Sequence, residues 1–376
     1  MNDTAVALLK KLIACRSITP AQDGAMDLAD EILTSAGYST QRLPAGGVDN
    51  LWATNSDSPK LLFAGHVDVV PPGDLELWKS EPFTAEERDG FVYGRGAADM
   101  KSGVAVMIHT ACQLRDVPGI AMLLTSDEEG PATHGTQYVV KWLKDKGVTI
   151  PYALVGEPTG EGEFGDTIKI GRRGSFTARI TVRGQQGHIA YPHRTDNPIP
   201  KLMNALSEIL RQNEKNADKK SDDFPPTGAQ VALINAGVAE NVVPANATAT
   251  LNFRYSPEDT PETLRQMTES CLENAAAGMW KCEWFHSASP YRTPGDGLLV
   301  RALQDGISAV CGRQANLSAA GGVSDGRFLR DICDEVAEFG VANESMHAPN
   351  ERVSCDEVRM LTDIFERVAR QLLQAE

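Results

Sequence analysis

Five segments, far apart in the chain, each set a metal-ligating side chain beside an apolar run or in a glycine-rich turn. In LLFAGHVDVV (61–70) the side chain is His66, in MLLTSDEEG (122–130) Glu129, in ALVGEP (153–158) Glu157, and in VAEFGVANESMH (336–347) His347. The segment YGRGAADMK (93–101) adds Asp99. Apolar runs of this length read as buried strands of a parallel sheet, and open α/β sheets bind ligands outside the carboxyl ends of their strands. His66, Glu129, Glu157 and His347 are therefore expected to converge on one sheet edge, with Asp99 nearby. Two imidazoles and three carboxylates form a mixed nitrogen and oxygen set that suits zinc. Charge balance favours a pair of ions, since two divalent cations match three carboxylates and one hydroxide. Asp99 is then the shared carboxylate between ions about 3.5–4 Å apart.

Neighbouring residues extend this chemistry. His66 and Asp68 are two apart, so in an extended segment they share a face, and Asp68 can accept from the second imidazole nitrogen. Glu128 and Glu129 are adjacent, so near a strand end they point to opposite sides. One is free to act as general base while the other ligates, and Glu128 is read as the base. His188 in GQQGHIAYP and Asn241 in ENVVP are loop residues that could donate to a developing oxyanion. Lys169, Arg172, Arg173, Arg254 and Arg327 form a scattered basic set. Each alone reads as a surface charge, but beside a metal site they suggest a substrate with several carboxylates.

The elements that position these residues follow from the rest of the pattern. The chain has 376 residues, long enough for two domains. Residues 1–175 alternate strand and helix signals. Between 176 and 290 the order becomes β-α-β-β-α-β, the ferredoxin-like arrangement, with prolines opening both helices. After 291 the first pattern resumes and carries His347. The expected fold is thus α/β: a discontinuous di-zinc domain (1–175 and 291–376) with a central, mostly parallel sheet flanked by helices, and an inserted dimerisation or lid domain (176–290). The polar stretch NEKNADKKSDDFPPTG (213–228) reads as a surface loop. In the last helix, Ser354 and Glu357 are spaced as a capping box, and Leu361, Ile364, Phe365, Val368 and Leu372 form its apolar stripe.

A net charge of −15 argues against nucleic acid or an anionic membrane as partner. No apolar run reaches transmembrane length, and the N-terminus lacks the features of a secretory signal. Seven cysteines without a C-x-x-C spacing fit reduced thiols, so a cytoplasmic location is expected.

The stretches GHVDVVPPGDLELW, DGFVYGRGAADMKSG, TSDEEGPATHGT, VGEPT, GDTIKIGRRGS and QGHIAYPH closely resemble the succinyl-diaminopimelate desuccinylase family, di-zinc amidohydrolases of the M20 metallopeptidase group. The resemblance runs over nearly the whole chain. It implies that His66 and Glu157 bind one zinc and Glu129 and His347 the other, with Asp99 bridging and cobalt able to substitute. It also implies Glu128 as base, Asp68 as the histidine-orienting aspartate, and a homodimer in which His188 enters the partner's active site. Arg172, Ser175, Asn241, Arg254, Gly322 and Asn343 match positions near the substrate. The chain departs from the family in SAAGGVSDGRF (318–328), where Ala319, Ala320 and Val323 replace hydroxyl-bearing residues.

Overall fold

The computed structural model describes residues 4–216 and 224–374. Residues 217–223 of the stretch read as a loop lie outside the described residues. Residues 213–216 continue the helix Pro198–Asn216 instead of leaving it. The chain divides into two compact units, one of residues 1–171, 292–318 and 324–376, the other of residues 172–291 and 319–323. The return of 319–323 to the second unit differs from the sequence expectation. It has a local cause: Arg172 Nη1 donates to the carbonyls of Ala320 and Gly322, both at 3.4 Å.

The first unit is built on an eight-stranded sheet. In spatial order its strands are Ser39–Arg42, Asn50–Thr54, Ile120–Thr125, Leu61–His66, Ile150–Val155, Cys333–Glu338, Thr167–Lys169 and Asn316–Ser318. The four central strands run parallel, pairing His66 with Thr125, Ala64 with Val155 and Val155 with Glu338. This register brings their carboxyl ends level, so the segments after them emerge along one edge. The strands Leu61–His66 and Ile120–Thr125 are buried along their whole length, which explains why they are apolar without alternation. The first two strands are antiparallel to each other, and Asn50–Thr54 is antiparallel to Ile120–Thr125, so the sheet is mixed at that side.

Helices cover the sheet. Ala5–Ala14 is capped by Thr4 and buries Leu9, Leu12 and Ile13. Cys355–Gln374 buries the expected stripe, and Phe365 stacks on Phe63 of the sheet with ring centroids 5.7 Å apart. Each such fully buried side chain contributes about 1.5–3 kcal/mol. The expected capping box does not form at this helix. Ser354 Oγ accepts from Asp356 N, but Glu357 reaches away and accepts from the amide of Ala342. Among the described residues, no helix is long and apolar enough to cross a membrane.

The second unit has a four-stranded antiparallel sheet in the order Gly228–Ala236, Asn246–Tyr255, Gly174–Arg183, Trp280–Ala288. The helices Pro198–Asn216 and Pro261–Ala276 pack with it around Phe176, Ile180, Leu206, Leu251, Phe253 and Leu272. Chain order and sheet order together are those of the ferredoxin-like unit.

One close backbone approach ties fold to site. The helix Ser102–Gln113 starts against the segment that carries Glu157, and a Cβ on Gly103 would stand 2.1 Å from the Gly156 carbonyl oxygen. Neither partner is a side chain that can turn aside. Gly103→Ala is expected to destabilise the protein by about 1–3 kcal/mol, seen as a melting midpoint several degrees lower. An unchanged midpoint would mean that helix and loop separate freely.

Candidate metal centre

His66 is the last residue of its strand, and its ring is buried. Its Nδ1 lies 2.8 Å from the backbone carbonyl of Asp68, which makes Nδ1 a donor and turns Nε2 toward the cluster. The Asp68 carboxylate is farther off, at 3.7 Å. It accepts instead from the amides of Glu128 (3.3 Å) and Glu129 (3.1 Å). Sequence reasoning assigned the orienting role to the Asp68 side chain because it assumed a continuing strand. The strand ends at His66, so the two-residue period no longer applies. Asp68 therefore orients His66 through its main chain and the Glu128–Glu129 turn through its side chain.

Asp99 stands between the two imidazoles. Its Oδ1 is 3.3 Å from His66 Nε2, and its Oδ2 is 3.2 Å from His347 Nε2. On the buried side Glu157 Oε1 lies 3.7 Å from His66 Nε2. On the outer side Glu129 Oε1 lies 2.9 Å from His347 Nε2. Ligand atoms of His66, Glu128 and Glu157 lie within 4.8 Å of one another, as do those of His66, Asp99 and Glu129. Glu128 and Glu129 thus reach different groups, as their adjacency suggests.

The donor set fits metal ions. His66 Nε2 and Asp99 Oδ1 are buried and lack a hydrogen-bond partner. Buried polar atoms are seldom left so, and a divalent cation would satisfy both. The protonation pattern of the metal-free cluster points the same way. Burial opposes the Asp99 carboxylate, yet the facing His347 and His66 rings hold its pKa below the usual range. Burial also opposes the His66 cation, but Asp99, Glu157 and Asp68 raise its pKa well above the ordinary imidazole value. Asp99 and Glu129 push His347 up to about 10. Glu157 is raised by burial and by Asp99. Glu128 is pushed up to about 8, by burial first and then by Asp325, Asp99 and Glu129 despite the opposing His66. Protons hold together a cluster that cations would otherwise neutralise.

The Peptidase family M20/M25/M40 model matches residues 62–371. The chain belongs to this family. It is 43% identical to a succinyl-diaminopimelate desuccinylase of Bordetella parapertussis, with 98% of each chain covered. It is 44% identical to one of Nitrosococcus oceani, covering 97% of this chain and 98% of the relative. Two solved structures share the fold. An M20 family metallo-carboxypeptidase, Sso-CP2, of Sulfolobus solfataricus has a TM-score of 0.81 at 17% identity, with both chains fully covered (100%). The YXEP protein of Bacillus subtilis, described as a dinuclear metal binding peptidase of the M20 family, has a TM-score of 0.71 at 16% identity over 99% and 98% of the chains.

The remaining sequence candidates fall in three places. Asn343 lies half-buried in the loop before His347, its amide donating to Gly160 O. The second unit holds Arg172, Ser175, His188, Asn241, Arg254 and Gly322. Ser175 and Arg254 are register partners, and Ser175 Oγ accepts from Asn252 Nδ2 at 3.2 Å. His188 is exposed and pairs with Val242 in a two-stranded ladder, which sets Asn241 beside it. Others of the basic set have structural partners: Lys169 with Glu161 and Ser318, Arg173 with the Pro226 carbonyl.

Among the buried charged residues of the first unit that sequence reasoning missed are Arg95, Glu351 and Asp325. Asp325 is pushed up to about 6 by burial, and its charge bears on Glu128. The one available signal was the clustering of charge in GRGAAD, SDGRF and HAPNE, next to ligands already read.

The metal-free cluster makes a proton-linked prediction. His347 titrates near 10 against an ordinary 6.5, so at pH 7 its ring is charged and cannot ligate. Metal binding must expel that proton, and affinity should climb as pH rises from 6 toward 10. Calorimetric metal titrations in buffers of different ionisation enthalpy should register proton release at pH 7. Binding with no proton exchange would remove His347 from the ligand set.

Proposed function

We propose that the chain hydrolyses the amide bond of N-succinyl-LL-2,6-diaminopimelate to succinate and LL-2,6-diaminopimelate, a cytoplasmic step in bacterial lysine and cell-wall precursor synthesis. The metal chemistry rests on one observation, the Asp99 carboxylate lying between the His66 and His347 rings. The substrate rests on the desuccinylase relatives, similar over 97–98% of the chain. In this reading His66 and Glu157 hold one zinc ion, Glu129 and His347 the other, and Asp99 both, with cobalt able to substitute. When bound, the ions polarise the scissile carbonyl and acidify a water.

Protein groups do the rest. Glu128 accepts the proton that the attacking water sheds and delivers it to the departing nitrogen. Asp68 keeps the Glu128–Glu129 turn in place by taking both amide protons. Arg172, Ser175, Arg254, Gly322 and Asn343 bind the carboxylate-rich substrate, and His188 and Asn241 donate to the oxyanion as it develops.

The chain works as a homodimer formed through the second unit. The support is an exposed edge strand, Gly228–Ala236, with Leu233 and Ile234 bare to solvent and Val238 96% exposed just after it. Unpaired apolar edges of this kind invite a second copy.

Side-by-side assays with succinyl-diaminopimelate, N-acetylornithine and small peptides test the substrate. The highest kcat/KM is expected for succinyl-diaminopimelate, and a better rate on either competitor would replace this reading with another activity of the family. Glu128→Ala should keep two zinc ions per chain and lose about 10²–10⁴-fold in activity. Near-normal turnover would remove Glu128 from the mechanism. The dimer predicts complementation. His188→Ala and Glu128→Ala, each inactive alone, should regain activity when mixed under subunit exchange, because a heterodimer contains one intact site. A mixture that exchanges subunits and stays inactive would show that His188 acts within its own chain or not at all.

A further inference from the structure

Glu351 is fully buried, and both its oxygens are occupied. Oε1 accepts from the amides of Ala98 (2.9 Å) and Asp99 (3.0 Å). Oε2 accepts from the amide of Gly96 (2.9 Å) and from Arg95 Nη1 (2.7 Å). A carboxylate bound by three main-chain amides of one turn fixes that turn as a unit, and here the turn carries Asp99. Arg95 is 1% exposed, lies against the Trp78 ring and reaches in other directions. Its Nη2 donates to the carbonyl of His347 (3.3 Å), and Nη1 also to that of Ala348 (3.3 Å). Nη2 further lies 3.5 Å from the carbonyls of Pro71 and Pro72, in the segment after His66. One ion pair thus joins the Asp99 turn, the His347 loop and the chain leaving the His66 strand.

We infer that Arg95 and Glu351 are positioning residues that hold Asp99 and His347 at the separation two metal ions require. The inference rests on the two-metal reading above. The ligands differ in how much they need the pair. His66 is held at the end of a strand laddered on both sides, itself paired with Thr125, and Glu157 by the backbone packed against it at Gly103 and Gly340. His347 lies in no strand or helix, is half exposed, and has a left-handed backbone at φ 61°. A non-glycine residue keeps that conformation only where its surroundings impose it, and Arg95 grips its carbonyl. Glu351 follows His347 by four residues, so it anchors the same loop from its far end. Loosening the pair therefore frees the Glu129–His347 side first. The His66–Glu157 side keeps its own scaffold.

Metal-free wild type, Glu351→Gln and Arg95→Lys are to be titrated with cobalt(II) in chelator buffers. Stoichiometry is read by elemental analysis and coordination by the visible cobalt spectrum, with circular dichroism as the check on folding. The amide of Glu351→Gln turns a donor toward main-chain donors, and Arg95→Lys keeps the charge but loses the fork. Either folded variant should bind one ion as wild type does and the other about 10–100-fold more weakly. At limiting metal kcat on succinyl-diaminopimelate should fall with KM unchanged, and excess metal should restore it. Two unchanged affinities, or two affinities weakened alike, overturn the inference, since a merely structural pair would not separate the sites. If Glu351→Gln does not fold, Arg95→Lys decides by the same readings. A wild-type chain that binds a single ion overturns the two-metal reading itself, and this inference with it.

Discussion

Carboxylates buried within reach of one another repel, and no arrangement of strands removes that cost. Asp99, Glu128, Glu129 and Glu157 lie around the His66 and His347 rings in the first unit. The facing carboxylates raise the pKa of both imidazoles, and burial raises those of Glu128 and Glu157. The same geometry offers imidazole and carboxylate donors that could hold cations. Much of the surrounding structure can be understood as the means of keeping these groups together against their repulsion.

Three kinds of scaffold do this, with different strengths. The parallel ladder brings four strand ends level and costs the sequence only apolar residues. Main-chain packing is stiffer: Gly103 and Gly340 approach the 156–157 segment so closely that a methyl group has no room at either. Buried polar groups supply the rest. Asp68 holds the Glu128–Glu129 turn, and Glu351 holds the Asp99 turn, each by accepting main-chain amides. Such bonds are directional, so they fix orientation where packing alone fixes only distance.

The legible part of this design follows from the same division. Strand-end ligands could be read because an apolar run followed by a polar ligand is a local pattern with a known topological meaning. The β-α-β-β-α-β order of the second unit was legible for the same reason, with periodicity and proline-opened helices marking each element. Several exceptions at the site were matters of direction. Asp68 was expected to face His66 with its side chain, but the strand ended two residues too soon. Glu357 has the spacing of a capping residue, yet an unpaired amide on Ala342 was within reach. Arg95 and Glu351 are 256 positions apart, and charged residues in a loop carry no periodic mark of burial.

The two sides of the centre also differ in what they can offer a substrate. His66 and Glu157 are enclosed by ladder and backbone and have almost no exposed surface. His347 is 47% exposed on its loop. A ligand entering the first unit therefore meets the His347 ring first, while Glu129 and Glu157, each 10% exposed at the side chain, and His66, at 1%, lie deeper.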